Sequence, residues 1–174
     1  RGEVMTPDKL QAAVVYLEGK ELVGVADVEL PKVEFDSESL KGFGIAGEVD
    51  VPNPAAIKPM EAKLKFRTVT DQFTKLSAPQ TTEIEILGSI QDVAPDKTIK
   101  TRQIRAFMKV APKGASPGKL EQSKPMDSEL TLSVFAYKLE VDGRMLIEVD
   151  PIAMKCTING VDYLQETRKN LGMA

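Results

Sequence analysis

The stretch Glu129–Val149, ELTLSVFAYKLEVDGRMLIEV, decides the class of fold. Two β-prone runs, Glu129 to Val141 and Arg144 to Val149, are joined by only Asp142-Gly143. Asp-Gly suits the left-handed backbone of a tight turn, so the pair predicts an antiparallel hairpin. Ile152 to Ile158 extends the pattern to a second tight turn at Asn159-Gly160. Asp162, with Gln165 three residues on, predicts a capping box opening a helix to about Leu171. Arg168 and Lys169 suit the negative end of its dipole, and Gly172 suits its stop.

Upstream, Met60 to Val69 is the clearest strand. Met60, Ala62, Leu64 and Phe66 alternate with Glu61, Lys63, Lys65 and Arg67, as expected of a strand with one wet face. Thr70 is placed to cap a short helix over Asp71 to Leu76, with Phe73 and Leu76 on one face and Pro79 beyond it. Thr82 to Gln91 and Lys97 to Val110 are further strands around an Ala94-Pro95-Asp96 turn. Val14 to Leu17 and Leu22 to Leu30 predict a hairpin around Glu18-Gly19-Lys20. Pro31 ends it, and Val33, Phe35 and Ser37 then alternate with Lys32, Glu34 and Asp36.

Residues 37–59, punctuated by Gly42, Gly44, Gly47, Pro52, Pro54 and Pro59, read as a long arm or extended hairpin. Residues 111–126 read as a basic loop, because Pro112, Gly114, Pro117, Gly118 and Pro125 oppose a regular element. The expected fold is mainly β with minor α. It is one antiparallel β-sandwich or barrel domain over 1–174, with a short central helix, a C-terminal helix and long interaction loops.

Composition narrows the function. A chain of 174 residues is one domain's worth and needs no metal or disulfide to fold. The single cysteine, Cys156, excludes an internal disulfide framework, a four-cysteine zinc site and a CxxC pair, and suits a reducing compartment. The absence of histidine removes the commonest general base and metal ligand. No run approaches the 18 or so apolar residues of a membrane span, and the first residues, Arg1 to Met5, do not read as a signal peptide. A net charge of −3 argues against a globally basic nucleic-acid binder, and aromatics at 5% argue against base-stacking platforms.

That net charge hides an asymmetry. Asp27 to Asp50 holds Asp27, Glu29, Glu34, Asp36, Glu38, Glu48 and Asp50 against Lys32 and Lys41. Lys97 to Met126 holds Lys97, Lys100, Arg102, Arg105, Lys109, Lys113, Lys119 and Lys124 against Glu121 alone. The plain reading is two solvated faces. The sharper one is self-association, an acidic arm meeting a basic strand and loop of another copy. Nucleic-acid binding by the basic segment ranks last, since only Phe107 interleaves it.

No catalytic constellation emerges. Glu83 with Glu85, and Glu61 with Lys63, fit a wet sheet face. Gly42-Phe43-Gly44-Ile45-Ala46-Gly47 matches GxGxxG without the strand and helix that motif needs, and reads as a glycine-hinged arm. Cys156 and the seven methionines read as packing residues. The residues point to a structural subunit whose sheet edges are paired by assembly, with a monomeric β-barrel binding module as a distant alternative. No enzyme, cofactor or metal site is expected.

Longer stretches carry a family resemblance. Tyr137-Lys138-Leu139-Glu140-Val141-Asp142-Gly143-Arg144, Ile147-Glu148-Val149-Asp150-Pro151, Ile158-Asn159-Gly160-Val161-Asp162 and Arg168-Lys169-Asn170-Leu171-Gly172 resemble the end of the major tail tube protein of contractile-tailed phages. The tube protein of R-type, phage-tail-like bacteriocins is similar. Tyr16-Leu17-Glu18-Gly19, Leu30-Pro31-Lys32, Gly44 to Val51 and Met60-Glu61-Ala62-Lys63 follow the family's order. The likeness is most specific from Leu132 onward and loosest between Gln80 and Met126. Residues before Leu10 have no counterpart, so 1–12 is expected as an N-terminal extension.

The resemblance implies a tail tube subunit forming stacked hexameric rings, with the inner sheets joined around a hollow lumen. Its implied partners are other copies of itself, the sheath outside and the tape-measure protein inside. DNA passes only in transit if the particle is a phage, and no membrane is involved. The implied place is a virion tail, or an extracellular bacteriocin particle, assembled in the bacterial host cytoplasm. The alternative is the tube of a genome-free injection system, R-type or type VI-like. Inter-subunit contacts are expected at Glu34, Asp36, Glu38, Lys41, Glu48 and Asp50 on the arm, and at Lys100, Arg102, Arg105, Lys113 and Lys119 on the basic stretch.

Overall fold

A computed structural model describes residues 4–19, 21–24 and 27–173. Lys20 of the expected first turn, and Val25 and Ala26 of the second run, lie outside the described residues. The strands are β1 (Thr6–Leu17), β2 (Glu21–Val23), β3 (Asp27–Glu29), β4 (Phe35–Leu40), β5 (Val49–Ile57), β6 (Met60–Phe66), β7 (Thr82–Val93), β8 (Ile99–Ser116), β9 (Ser128–Val141), β10 (Arg144–Asp150), β11 (Lys155–Ile158) and β12 (Val161–Asp162). The helices are α1 (Asp71–Ser77) and α2 (Gln165–Asn170).

Neighbours in the main sheet run β12-β11-β10-β9-β8-β7-β1-β2, all antiparallel. The hairpins fall where the sequence placed them. Asp142 and Gly143 (φ 49° and 75°) turn β9 into β10, and Asn159 and Gly160 (φ 53° and 83°) turn β11 into β12. At β9 the sheet forks. Tyr137 to Val141 pair with β10, whereas Ser128 to Val134 pair with β6, which in turn pairs with β3.

One apolar cluster joins Val15 of β1, Ile84 of β7, Met108 of β8 and Leu132 of β9 to Leu64 and Phe66 of β6. Strands that are not sheet neighbours share this core, so the sheet curls over itself. It does not close into a barrel. Helix α1 plugs the curl with Phe73 and Leu76, and Phe73 meets Phe66 edge to face at 5.2 Å. The Thr70 hydroxyl accepts from the Phe73 amide at 3.2 Å, the expected N-cap.

Several expectations need correction. The second run of the first hairpin is divided. β2 returns along β1, but β3 crosses to β6, because Val28 gains an apolar neighbour in Leu64. The 111–126 region is not loop throughout: β8 continues to Ser116, paired with β9. Pro112 and Gly114 are tolerated because the register shifts between them and β7 no longer pairs there. The remaining loop is pinned at Gly118 (φ 90°), where an added Cβ would lie 1.9 Å from the Met126 carbonyl oxygen.

Residues 6–12, read as part of an extension, form the first half of β1 against β7. The strand after Asp150 starts only at Lys155, since residues 151–154 are turn. The capping box is absent. Leu164 precedes α2 without a side-chain cap, and Asp162 instead accepts from the Leu164 amide at 3.1 Å. Arg168 claims the same carboxylate at 2.6 Å and reaches the Met154 carbonyl at 2.9 Å, tying α2 to the sheet. That guanidinium holds the Asp162 carboxyl below the usual carboxylate range.

Candidate functional site

Three surfaces stand out. The first is the ribbon of β4 and β5, a sheet of its own with Asp36 opposite Asn53 and Leu40 opposite Val49. It packs on its own chain at its base, where Phe35 and Ile57 join the core and the Lys58 amide donates to the Glu34 carbonyl at 2.8 Å. Beyond the base it is exposed on both faces. Residues opposite each other share a face, so Leu40, Val49 and Val51 lie with Asp36 and Glu38. Lys41 and Glu48 pair at 3.9 Å, and the Ser39 hydroxyl donates to Asp50 at 2.9 Å. At the tip Phe43 is wholly exposed, between Gly42 and Gly44.

The second surface is the outer face of β7, β8, β9 and β10. One rung across it reads Tyr16, Glu85, Phe107, Lys138, Glu148, Thr157. Acids and bases on adjoining strands pair: Arg105 with Glu85 at 2.6 Å, Lys109 with Glu83 at 3.6 Å, Lys155 with Glu148 at 3.0 Å. Lys138 pairs with Glu140 at 3.1 Å. Arg105 lies over the Phe107 ring at 4.5 Å, with Lys138 at 5.8 Å.

The predicted basic stretch is therefore mostly neutralised within its own chain. Arg102 grips the wholly buried Asp92, its Nη2 donating at 3.1 Å, and this pairing raises its already high pKa. Lys113 meets Glu61 and lowers the Glu61 carboxyl's pKa. Among the described residues Lys100 and Lys119 carry no ion pair, and no ion pair joins the arm to the basic stretch within the chain.

The third surface was missed from sequence. Where β1, β7 and β8 run past their covering strand, Leu10, Ala13, Gly88 and Ile104 line an apolar groove with Val28 and Leu30 of the β3 segment. Leu10 is 55% exposed. The sequence signal was Gly88, a glycine inside an apolar strand, which marks a close approach. A Cβ there would stand 2.7 Å from the Ile104 Cγ2 and 3.2 Å from the Leu10 Cδ1.

A curled open sheet, a projecting ribbon and an apolar groove open at Leu10 are surfaces suited to packing against other proteins. Comparison with known proteins gives the family. The model of the phage tail tube protein FII family matches residues 7–172, and the chain belongs to that family. It is 30% identical to the tail tube protein of Escherichia phage P2, covering 96% of this chain and 98% of that one.

Two solved structures share the fold at 14% identity. One is the PVC sheath/tube terminator of an extracellular contractile injection system, with a TM-score of 0.58 over 79% of this chain and 99% of that one. The other is the tube-terminating cap of the anti-feeding prophage, with a TM-score of 0.51 over 74% and 87%. The family is one of structural tail tube proteins, not enzymes, and its place is the virion tail. Among the described residues no helix is long and apolar enough to cross a membrane.

Proposed function

We propose that the protein is the repeating subunit of a contractile phage tail tube, six copies closing a ring and rings stacking around a lumen. The observation that carries this is the open edge of β1. Among the described residues, Thr6 to Val14 pair with β7 on one side, and β2 covers only Val15 to Leu17 on the other. An unpaired strand of this length is an aggregation hazard in a monomer and a joint in a ring. Joined sheets would turn the face with Glu85, Arg105, Phe107 and Lys138 toward the lumen. Its charges are compensated pair by pair, so a DNA phosphate in transit or a tape-measure protein meets no basic surface to hold it.

The arm then reaches a neighbouring copy, its acids Glu34, Asp36, Glu38, Glu48 and Asp50 facing Lys100 and Lys119, which carry no ion pair among the described residues, while Arg102, Arg105 and Lys113 hold the strands that present them. The sheath contacts the outside of the tube. A genome-free particle would use the same subunit, and nucleic acid in purified particles separates the two.

Negative-stain electron microscopy of concentrated protein at moderate salt tests the reading. Rings or hollow rods are expected; particles that stay monomeric at high concentration, even with a baseplate initiator, overturn it. Reversing Lys100 and Lys119 together (Lys100→Glu, Lys119→Glu) is expected to weaken assembly without unfolding the subunit. Unchanged tubes would rule out those two lysines as receptors of the arm.

A further inference from the structure

We infer that the apolar groove bounded by Leu10, Ala13, Gly88 and Ile104 is the seat of the β4–β5 ribbon tip of a second copy, with Phe43 as the inserted side chain. The inference rests on the tube reading, because it needs a second copy as partner.

Among the described residues, neither half of the contact is filled within one chain. The groove is nearly pure hydrocarbon, yet it opens to solvent at Leu10. Phe43 has its whole side chain in water, and Leu40, Val49 and Val51 behind it are about half exposed. The chain's own ribbon is anchored at Phe35 and Ile57 and does not cover the groove. A side chain of this size gains roughly 1.5–3 kcal/mol when buried, so both surfaces gain by meeting.

Shape and charge agree. Phe43 is the one side chain in Gly42-Phe43-Gly44, and Gly44 takes a left-handed backbone (φ 83°), so the ring projects from a slim support. The glycine at Gly88 keeps the groove floor low where Ile104 and Leu10 converge. Along β8, Lys100 lies on the same face as Ile104 by alternation, beyond the Arg102 that Asp92 occupies. It is a cation without an ion pair among the described residues, set where Asp36, Glu38, Glu48 or Asp50 of the incoming ribbon would pass. An acidic ribbon with an apolar tip thus meets an apolar groove with a basic approach.

Copies carrying Phe43→Cys are mixed with copies carrying Leu10→Cys under assembly conditions, and joined by a short thiol cross-linker. The native Cys156 is buried and does not interfere. A cross-linked dimer is expected from the mixture and from neither variant alone, with electron microscopy of the same sample showing tubes. Tubes without that dimer overturn the seat and leave the tube reading standing. Absence of any assembly in the unmodified protein, even with a baseplate initiator, overturns both.

A second measurement guards against a variant that simply fails to assemble. Phe43→Ser is expected to raise the critical concentration for assembly roughly tenfold or more, with an unchanged thermal midpoint and recovery in Phe43→Leu. Full assembly by Phe43→Ser, or capture of the tip by the sheath or tape-measure protein instead of a second copy, overturns the assignment.

Discussion

The core under β6 and the ribbon of β4 and β5 are both antiparallel, adjacent in sequence, and built for opposite ends. In β6 every second side chain is buried, and Ala62 and Leu64 are completely so. In the ribbon the same alternation yields no buried residue at all. An isolated two-stranded ribbon is marginal in water. The difference teaches that the chain places its apolar residues in two settings, in the core of the subunit and on an exposed ribbon that its own core does not cover.

The largest effect should come from breaking the core side. Leu132→Ala removes a fully buried side chain where β9 meets both β6 and β8, and is expected to cost about 2–5 kcal/mol, read by urea unfolding of the monomer. Gly118→Ala comes next. Its Cβ would drive against the Met126 carbonyl at a left-handed backbone, so a loss of more than about 1 kcal/mol is expected, with calorimetry as the check. Thr70→Ala removes the α1 cap for about 1 kcal/mol.

A pH titration sharpens the comparison further. Asp162 is held as a carboxylate by Arg168, so its folded pKa lies below the unfolded value. The pair therefore stabilises the subunit above about pH 4, and that contribution disappears as pH falls through the depressed pKa. Asp162→Asn is expected to flatten this acid limb in a thermal-midpoint series. The smallest effect on folding belongs to the ribbon, where Leu40→Ser should change subunit stability by no more than about 0.5 kcal/mol. A larger loss would mean that the ribbon is part of the subunit's own core.

Legibility follows the range of the interaction. The Asp142-Gly143 hairpin and the Thr70 cap were readable because a few consecutive residues settle them. The first half of β1 was not, because Thr6 to Val14 is exposed throughout, carries no two-residue rhythm and owes its strand to β7 across two register shifts. Pro112 misled because a proline reads as a breaker unless the bulge that accommodates it is known. Of the candidate contacts, the arm's acids were legible as a charge run, but the fate of the bases was not. Arg102, Arg105 and Lys113 are partnered by Asp92, Glu85 and Glu61, chosen by strand register. The groove was legible only as Gly88, a glycine inside an apolar strand, because its shape depends on where one part of the sheet outruns its cover.

The charge-paired face has a mechanical consequence. Each acid on it has a base on its own or an adjoining strand, and strands lie about 4.8 Å apart. The fields of such close pairs largely cancel a short way above the surface. A long polyelectrolyte drawn along it would feel a nearly flat potential, with no deep well to stall in at any step. On the proposed lumen face, low friction would thus follow from the strand register, which sets which acid meets which base.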